Sequence, residues 1–232
     1  MSSGEEYVRA ITQLESDRLA REAFHELVQR VATPGTCIFD FGCGPGIDAR
    51  FYARRGFKVV AFDIDERMCA TFKEHCSAEI ESGQIELFHG DYRYFIETLA
   101  PLLRQRFEIS LVTSNFAPLN MIEDLRELFA SFHALIAPGG KILASVLHPY
   151  FIQDMRYRWW WRNRHRSCYA IPYMVGLVYR RTLDNFVAEA SSYFTLEAAV
   201  RGMPRRANAP LKRASRLILA TSRFTFLLLA RQ

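Results

Sequence analysis

Residues 37–65, CIFDFGCGPGIDARFYARRGFKVVAFDID, constrain this chain more than any other stretch. An apolar run (Cys37, Ile38, Phe39) stops at Asp40. A glycine-rich turn follows, holding Gly42, Cys43, Gly44, Pro45 and Gly46, then a stretch with helical spacing, then a second apolar run (Val59, Val60, Ala61, Phe62) that stops at Asp63. The order is strand, turn, helix, strand.

Each part of that unit suits a nucleoside. Glycines in a strand-to-helix turn take dihedrals closed to other residues and let a ligand approach the backbone. The turn opens a helix whose free N–H groups face the ligand. Asp63 follows Gly42 by 21 residues, near the offset of roughly 20 at which an acid ending the second strand reaches ribose hydroxyls. A dinucleotide fingerprint spaces its glycines G-x-G-x-x-G to fit a pyrophosphate. Here the spacing is G-x-G-x-G, with Asp40 two residues ahead of it. A carboxylate repels a pyrophosphate and attracts an ammonium, so the cofactor reads as cationic and phosphate-free.

With these residues in place, the stretch resembles the first motif of class I S-adenosylmethionine-dependent methyltransferases, and further matches cover most of the chain. The resemblance implies S-adenosylmethionine as cofactor and S-adenosylhomocysteine as product. It places Asp40, Gly42, Cys43, Gly44 and Gly46 around the cofactor and Asp63 on the ribose. Ile64 falls where the family sets an apolar residue against the adenine face, with plain strand packing as the alternative. His89-Gly90-Asp91-Tyr92 resembles the family's G-D after strand three. That gives Asp91 the adenine amino group, with Tyr92 beside it; the alternative is an N-cap for the next helix. The loop from Ser114 through Asn115 and Phe116 to Asn120 resembles the family's loop after strand four, whose backbone contacts the cofactor. Asn115 is not followed by the N-P-P-Y signature of base-modifying enzymes, which argues against a DNA acceptor.

The 232 residues, half of them hydrophobic, suit one α/β domain over 1–232. The expected fold is Rossmann-like: a seven-stranded, mostly parallel sheet with an antiparallel C-terminal strand and helices on both faces. Cap helices are expected over about 5–33, where the resemblance gives Tyr7 a contact with the methionine part of the cofactor or ordinary packing. Further helices are expected over 65–78, with Asp65 as N-cap, over 94–104 and over 123–136. Strands are expected at 84–88, 107–113 and 141–147, the last entered through a turn at Pro138-Gly139-Gly140. Thr182 is expected to cap the helix after the insertion, and 194–200 and 224–230 to form the final strands.

Five cysteines without a C-x-x-C pair argue against a disulfide framework or zinc knuckle, and no His, Cys and acid cluster has metal-ligand spacing, so no metal is expected. The first residues, MSSGEEY, lack a signal pattern, and the most apolar stretch, 217–230, is short and holds Arg223. A cytoplasmic protein is expected. Charge is unevenly spread: residues 1–149 hold 15 Lys+Arg and 21 Asp+Glu, a net of −6, and residues 150–232 hold 15 and 4, a net of +11. A strongly basic second half favours an anionic acceptor, an anionic membrane surface or nucleic acid.

Strand five ends at Leu147-His148-Pro149-Tyr150. A histidine there looks into an acceptor pocket and suits proton acceptance, or else bonds to backbone at a bend. Residues 150–180 read as an acceptor lid, with Tyr150, Arg158, Trp160, Arg162 and Tyr173 as candidate acceptor contacts, because aromatics stack and arginines pair with anions. The same residues also suit packing onto the core, membrane-interface docking or RNA. The expected function is methyl transfer to an oxygen or nitrogen of a small, anionic or aromatic acceptor in metabolite biosynthesis. A membrane-borne lipid or quinone acceptor, RNA, and a non-catalytic cofactor-binding module are the alternatives. A dehydrogenase is opposed by Asp40 and the glycine spacing.

Overall fold

The computed structural model describes residues 15–171, 176–201 and 223–232. Tyr7 and Tyr173 lie outside them. Seven strands form one sheet: β1 (Cys37–Phe41), β2 (Lys58–Asp63), β3 (Ile85–His89), β4 (Ile109–Ser114), β5 (Ile136–Leu147), β8 (Phe194–Arg201) and β9 (Phe224–Arg231), in the order β3-β2-β1-β4-β5-β9-β8. The pairs from β3 to β5 are parallel, and β9 lies antiparallel between β5 and β8. A separate two-stranded hairpin pairs β6 (Cys168–Ala170) with β7 (Leu177–Tyr179). This is the expected sheet, down to its antiparallel last strand.

The central strands are largely apolar because helices cover both faces, with polar residues such as Asp40, Asp63 and Thr113 at their carboxyl ends. All five residues of β1 are buried, and the strand's two-residue period sends neighbours to opposite cores. Ile38, Val59 and Ala61 join the core that also takes Phe24, Leu27 and Val28 of α1 (Glu15–Val31). Phe39, Val60 and Phe62 join the other, where Phe39 stacks on Phe95 at 5.5 Å and Phe41 meets Phe132 edge-on at 5.3 Å between ring centres. Between β1 and β2 runs α2 (Ile47–Arg54).

After β2, Asp65 caps α3 (Glu66–His75), accepting from the N–H groups of Arg67 and Met68, and Phe72 is fully buried. The helix ends at His75, three residues short of expectation, and a separate turn, α4 (Ser77–Glu81), follows. The stretch after Asp91 is likewise broken up: Tyr92–Tyr94 is one helical turn, Phe95–Leu99 is π-helical, and α5 (Ala100–Arg106) completes it. Pro101 cannot donate to the residue four back, which accounts for the wider turn before it. Helix α6 (Leu125–Leu135) is capped by Asp124.

Pro138-Gly139-Gly140 does not precede β5, as expected, but lies inside it. Ile109 pairs with Ile136 and Leu111 with Lys141, so the segment between bulges out of a continuing strand. A side chain on Gly140 would meet Ser110 O at 2.8 Å. The insertion contains α7 (Arg158–Arg162), and α8 (Leu183–Ala190) follows with Thr182 and Asn185 in a reciprocal capping box. No helix among the described residues is long and apolar enough to cross a membrane.

Candidate cofactor site

The strand order reverses about β1, between β2 and β4, and the carboxyl ends of those strands form the crevice in which such sheets bind ligands. The three glycines of the turn all have positive φ, +73° at Gly42, +53° at Gly44 and +85° at Gly46, yet they serve different ends. A Cβ on Gly42 would strike Pro118 Cγ at 2.5 Å, and one on Gly46 would strike Cys76 Sγ and the Phe72 ring at 2.8 Å. Those two glycines let the turn pack against the protein. A Cβ on Gly44 would have no atom within 4 Å. Gly44 alone leaves an open cradle.

The Gly44 N–H donates to Asp63 Oδ2 at 2.7 Å, and Asp65 N–H donates to Asp63 Oδ1 at 2.9 Å. Burial pushes the Asp63 carboxyl upward, and the two backbone donors pull it back. Each oxygen keeps a second lone pair, the capacity a ribose diol needs. Ile64, between the two acids, is 58% exposed, so strand packing does not explain it. Asp91 is exposed and accepts the Tyr94 N–H at 2.7 Å as an N-cap. Its cap role is present, and its other oxygen remains for a ligand. Tyr92 is half-buried and donates its hydroxyl to Asp124 O at 3.0 Å.

Asp40 ends beneath the turn and is 2% exposed. Thr113 Oγ1 donates to Oδ1 at 2.8 Å, while Oδ2 is buried without a hydrogen bond. Burial, reinforced by the negative charge of Asp48, pushes this carboxyl up to about 8. A buried carboxylate oxygen lacking a donor is costly, and a cation brought against it offsets that cost. The orphaned oxygen and the open cradle at Gly44 together fit a cationic nucleoside such as S-adenosylmethionine. The neighbouring Cys43 thiol is buried and pushed well above its ordinary range, so it is not a nucleophile.

A polar knot backs the turn. Asp48, in the first turn of α2, pairs with Arg21 at 2.5 Å and His25 at 2.6 Å from α1, and Asn115 Nδ2 donates to it at 3.2 Å. Burial works to raise the Asp48 carboxyl, but Arg21 and His25 outweigh it and hold it well below the usual range. Asn115 is committed on its other side too: its Oδ1 accepts from Phe116 N–H at 3.0 Å and Ser145 Oγ at 2.9 Å. Its side-chain oxygen is thus taken within the protein, and one Nδ2 hydrogen is held by Asp48. Phe116 and Ala117 both stand at positive φ, +61° and +69°, a strained pair. Ser145 holds them, accepting Phe116 N–H at 2.7 Å on Oγ and Ala117 N–H at 3.1 Å on its carbonyl. The Arg21 guanidinium sits 4.4 Å over the Phe116 ring.

His148 ends the β5 edge half-buried, and its Nδ1 accepts the Tyr150 N–H at 3.1 Å. In the neutral ring the proton is therefore on Nε2. That nitrogen donates and does not accept, so the general-base role expected of His148 is not the one this turn favours. Among the described residues no group of three or more His, Cys, Asp or Glu could hold a metal ion.

A family model described as a methyltransferase domain matches residues 13–185. The chain belongs to this methyltransferase family. The ubiquinone biosynthesis O-methyltransferase of Azotobacter vinelandii is 31% identical over 121 residues, 52% of this chain and 48% of that protein. The malonyl-(acyl-carrier protein) O-methyltransferase of Hamiltonella defensa is 27% identical over 122 residues, 53% and 42% respectively. The chain thus spans about half the length of the curated relatives it matches. The solved S-adenosylmethionine-dependent methyltransferase of Mesorhizobium loti superposes with a TM-score of 0.59 at 20% identity, covering 90% of this chain and 96% of that one. S-Adenosylmethionine is the cofactor this family implies, and the Asp40, Gly44 and Asp63 geometry fits it.

The remaining expected contacts divide by burial. Trp160 is 7% exposed and lies under Arg180, whose guanidinium is 5.7 Å from its ring. Tyr150 is half-buried, and Arg158 and Arg162 are exposed. The sequence reading missed Arg21, His25 and Asp48. Their signal was present, since Arg21 and His25 stand four apart on one helical face, but nothing local ties them to Asp48, 23 residues beyond His25.

Proposed function

We propose that this methyltransferase transfers the methyl group of S-adenosylmethionine to an ionised oxygen, a carboxylate or acidic phenol, of a small acceptor. The observation that carries the reading is His148 at the carboxyl end of β5: its Nδ1 accepts the Tyr150 N–H, so neither nitrogen of the neutral ring is placed to take a proton from an acceptor. A neutral alcohol must lose its proton as it is methylated, so it needs a base. An ionised oxygen has none to lose. The excess of arginine in the segment that follows His148 suits an anion as well. Both named relatives are O-methyltransferases, which supports oxygen over nitrogen.

The sulfonium cofactor supplies an already activated methyl group. One C–O bond forms as the S–C bond breaks, and the acceptor's negative charge and the sulfonium's positive charge are both extinguished. The protein's share is alignment and exclusion of water. Asp40 and Asp63 hold the cofactor's ammonium and ribose, Gly44 allows close approach, and Ile64 offers an apolar surface to the base.

The test begins with calorimetric titration of S-adenosylmethionine and S-adenosylhomocysteine. A panel of carboxylates, phenols of graded acidity and aliphatic alcohols then follows at fixed pH. Methyl esters and aryl ethers are expected from acceptors ionised at the assay pH, with no reaction of the alcohols. Comparable turnover of aliphatic alcohols would overturn the reading.

A further inference from the structure

The segment between β5 and α8 presents an arginine-rich and apolar surface that the rest of the described chain leaves uncovered. Residues 155–183 contain seven arginines and no acid. Arg180 and Arg181 turn inward, but Arg156, Arg158, Arg162, Arg164 and Arg166 are exposed. None of these five pairs with an acid among the described residues, whereas Arg18, Arg21, Arg50, Arg54, Arg67, Arg93 and Arg106 all do. Large apolar side chains accompany them: Ile152 is 47% exposed, Tyr157 50%, Trp161 52% and Leu177 54%. Tyr157 with Trp161 and Arg158 with Arg162 stand four apart, so apolar and cationic rows run side by side across one turn.

This surface has fixed geometry. Arg180 donates to the carbonyls of Pro149 at 3.0 Å, Asn163 at 3.2 Å and Arg166 at 3.3 Å, tying both ends of the segment together. Its guanidinium lies 4.6 Å over Tyr169. Trp161 Nε1 donates to Met155 O at 2.7 Å, which holds the exposed indole against its own loop.

We propose that this face docks on an anionic lipid surface. Exposed arginines without acidic partners match a negatively charged headgroup layer, and their long stems lie along apolar surface while their heads stay polar. Tyr and Trp favour the boundary between headgroup and acyl chain. Ile152 and Leu177 decide between lipid and nucleic acid: aliphatic side chains gain from an acyl boundary and offer nothing to stacked bases. The segment begins where β5 ends, at the same sheet edge as the cofactor crevice, so docking brings that edge to the membrane. The inference is independent of the acceptor's identity.

The chain carries its own reporter, since its three tryptophans are Trp159, Trp160 and Trp161. The full chain is mixed with phosphatidylcholine vesicles with and without phosphatidylglycerol, and sedimentation and tryptophan emission are read together. Expected are co-sedimentation that requires phosphatidylglycerol and weakens with salt, a blue shift of emission, and quenching by brominated acyl chains. The triple variant Arg156→Glu, Arg164→Glu, Arg166→Glu should lose vesicle affinity by about tenfold or more. The double variant Ile152→Ser, Tyr157→Ser, which alters no charge, should also lose affinity. S-Adenosylhomocysteine titration of each variant reads the cofactor site separately. Absence of binding to phosphatidylglycerol vesicles overturns the proposal. So does vesicle binding without a change in tryptophan emission, undiminished binding by both variants, or binding to an RNA oligomer in place of vesicles.

Discussion

The Gly44 N–H meets the Asp63 carboxylate at 2.7 Å, so the acid at the end of β2 holds the turn at the end of β1 in shape. Asp63 thus has two tasks, fixing the one glycine of the turn that leaves an open cradle and offering lone pairs to a ribose. Asp63→Ala should weaken S-adenosylmethionine binding by about 1–3 kcal/mol, because it leaves the hydroxyls and the Gly44 N–H without an acceptor. It should also lower the melting temperature of the ligand-free protein. Calorimetry and thermal unfolding check both, and unchanged affinity would remove Asp63 from the ribose site.

The different surroundings of Gly44 and Gly46 separate binding from stability. Gly46→Ala drives a methyl into Cys76 Sγ and the Phe72 ring, and overpacking of this kind costs about 1–3 kcal/mol. Gly44→Ala meets open space, so its cost to the fold is that of a left-handed alanine, about 1 kcal/mol. Its methyl instead fills the cradle. Thermal unfolding should therefore rank Gly46→Ala as the more damaged fold, and calorimetry should find the greater loss of cofactor affinity, relative to stability, in Gly44→Ala.

Asp40 makes cofactor binding dependent on pH. Its carboxyl, buried and near Asp48, ionises at about 8 in the folded protein, against an ordinary 3.8. The folded state then holds a proton that the unfolded state has released, so Asp40 lowers the stability of the ligand-free protein as pH rises from about 4 to about 8. An ammonium group favours the ionised form, so S-adenosylhomocysteine affinity should rise over the upper part of that window, with proton release on binding seen as buffer-dependent heat. Asp40→Asn mimics the protonated acid. It should narrow the pH dependence of the melting temperature and weaken the cofactor at pH 8; an equal effect on melting at pH 5 and pH 8 would assign the dependence elsewhere.

Much of this fold was legible because its signals are local. Apolar runs ending in acids gave β1 and β2, and Asp65 and Thr182 read as N-caps because their side chains bond residues two or three positions on. The errors fall where a distant neighbour decides. Pro138-Gly139-Gly140 has the composition of a turn, yet pairing with β4 on both sides of it, at Ile136 and at Lys141, carries the strand through it as a bulge. The Asp48 knot joins α1 to α2, and the strained pair Phe116–Ala117 exists only because Ser145, about thirty residues later, supplies two acceptors. Ile64 was ambiguous in sequence, since an apolar residue after an apolar strand looks buried. Its exposure follows from lying beyond the strand's last pairing residue, Asp63.

Arg180 is the residue on which the insertion depends. It bonds three carbonyls of the 149–166 segment and covers Trp160 and Tyr169. Lysine cannot reproduce the planar fork. Arg180→Lys should expose the segment's arginines to trypsin while S-adenosylhomocysteine binding persists, and Arg180→Ala should cost about 1–3 kcal/mol in addition by leaving the part-buried carbonyls of Pro149 and Asn163 unpaired. Unchanged cleavage rates at 156–166 in both variants would show that the segment holds itself.

The role of His148 follows from which nitrogen is occupied. Because Nδ1 accepts the Tyr150 N–H, a base mechanism would require the ring to give up that bond and reverse its tautomer before taking a proton. Asparagine keeps an N–H donor and has no basic nitrogen. If the acceptor is already ionised, His148→Asn should reduce kcat by about tenfold or less. Loss of a general base would cost about a hundredfold to ten-thousandfold. The pH profile separates the two further. With a carboxylate acceptor ionised throughout the range, the profile of kcat should have the same shape in the wild type and in His148→Asn. An acid limb present in the wild type and lost in the variant would restore the histidine as base.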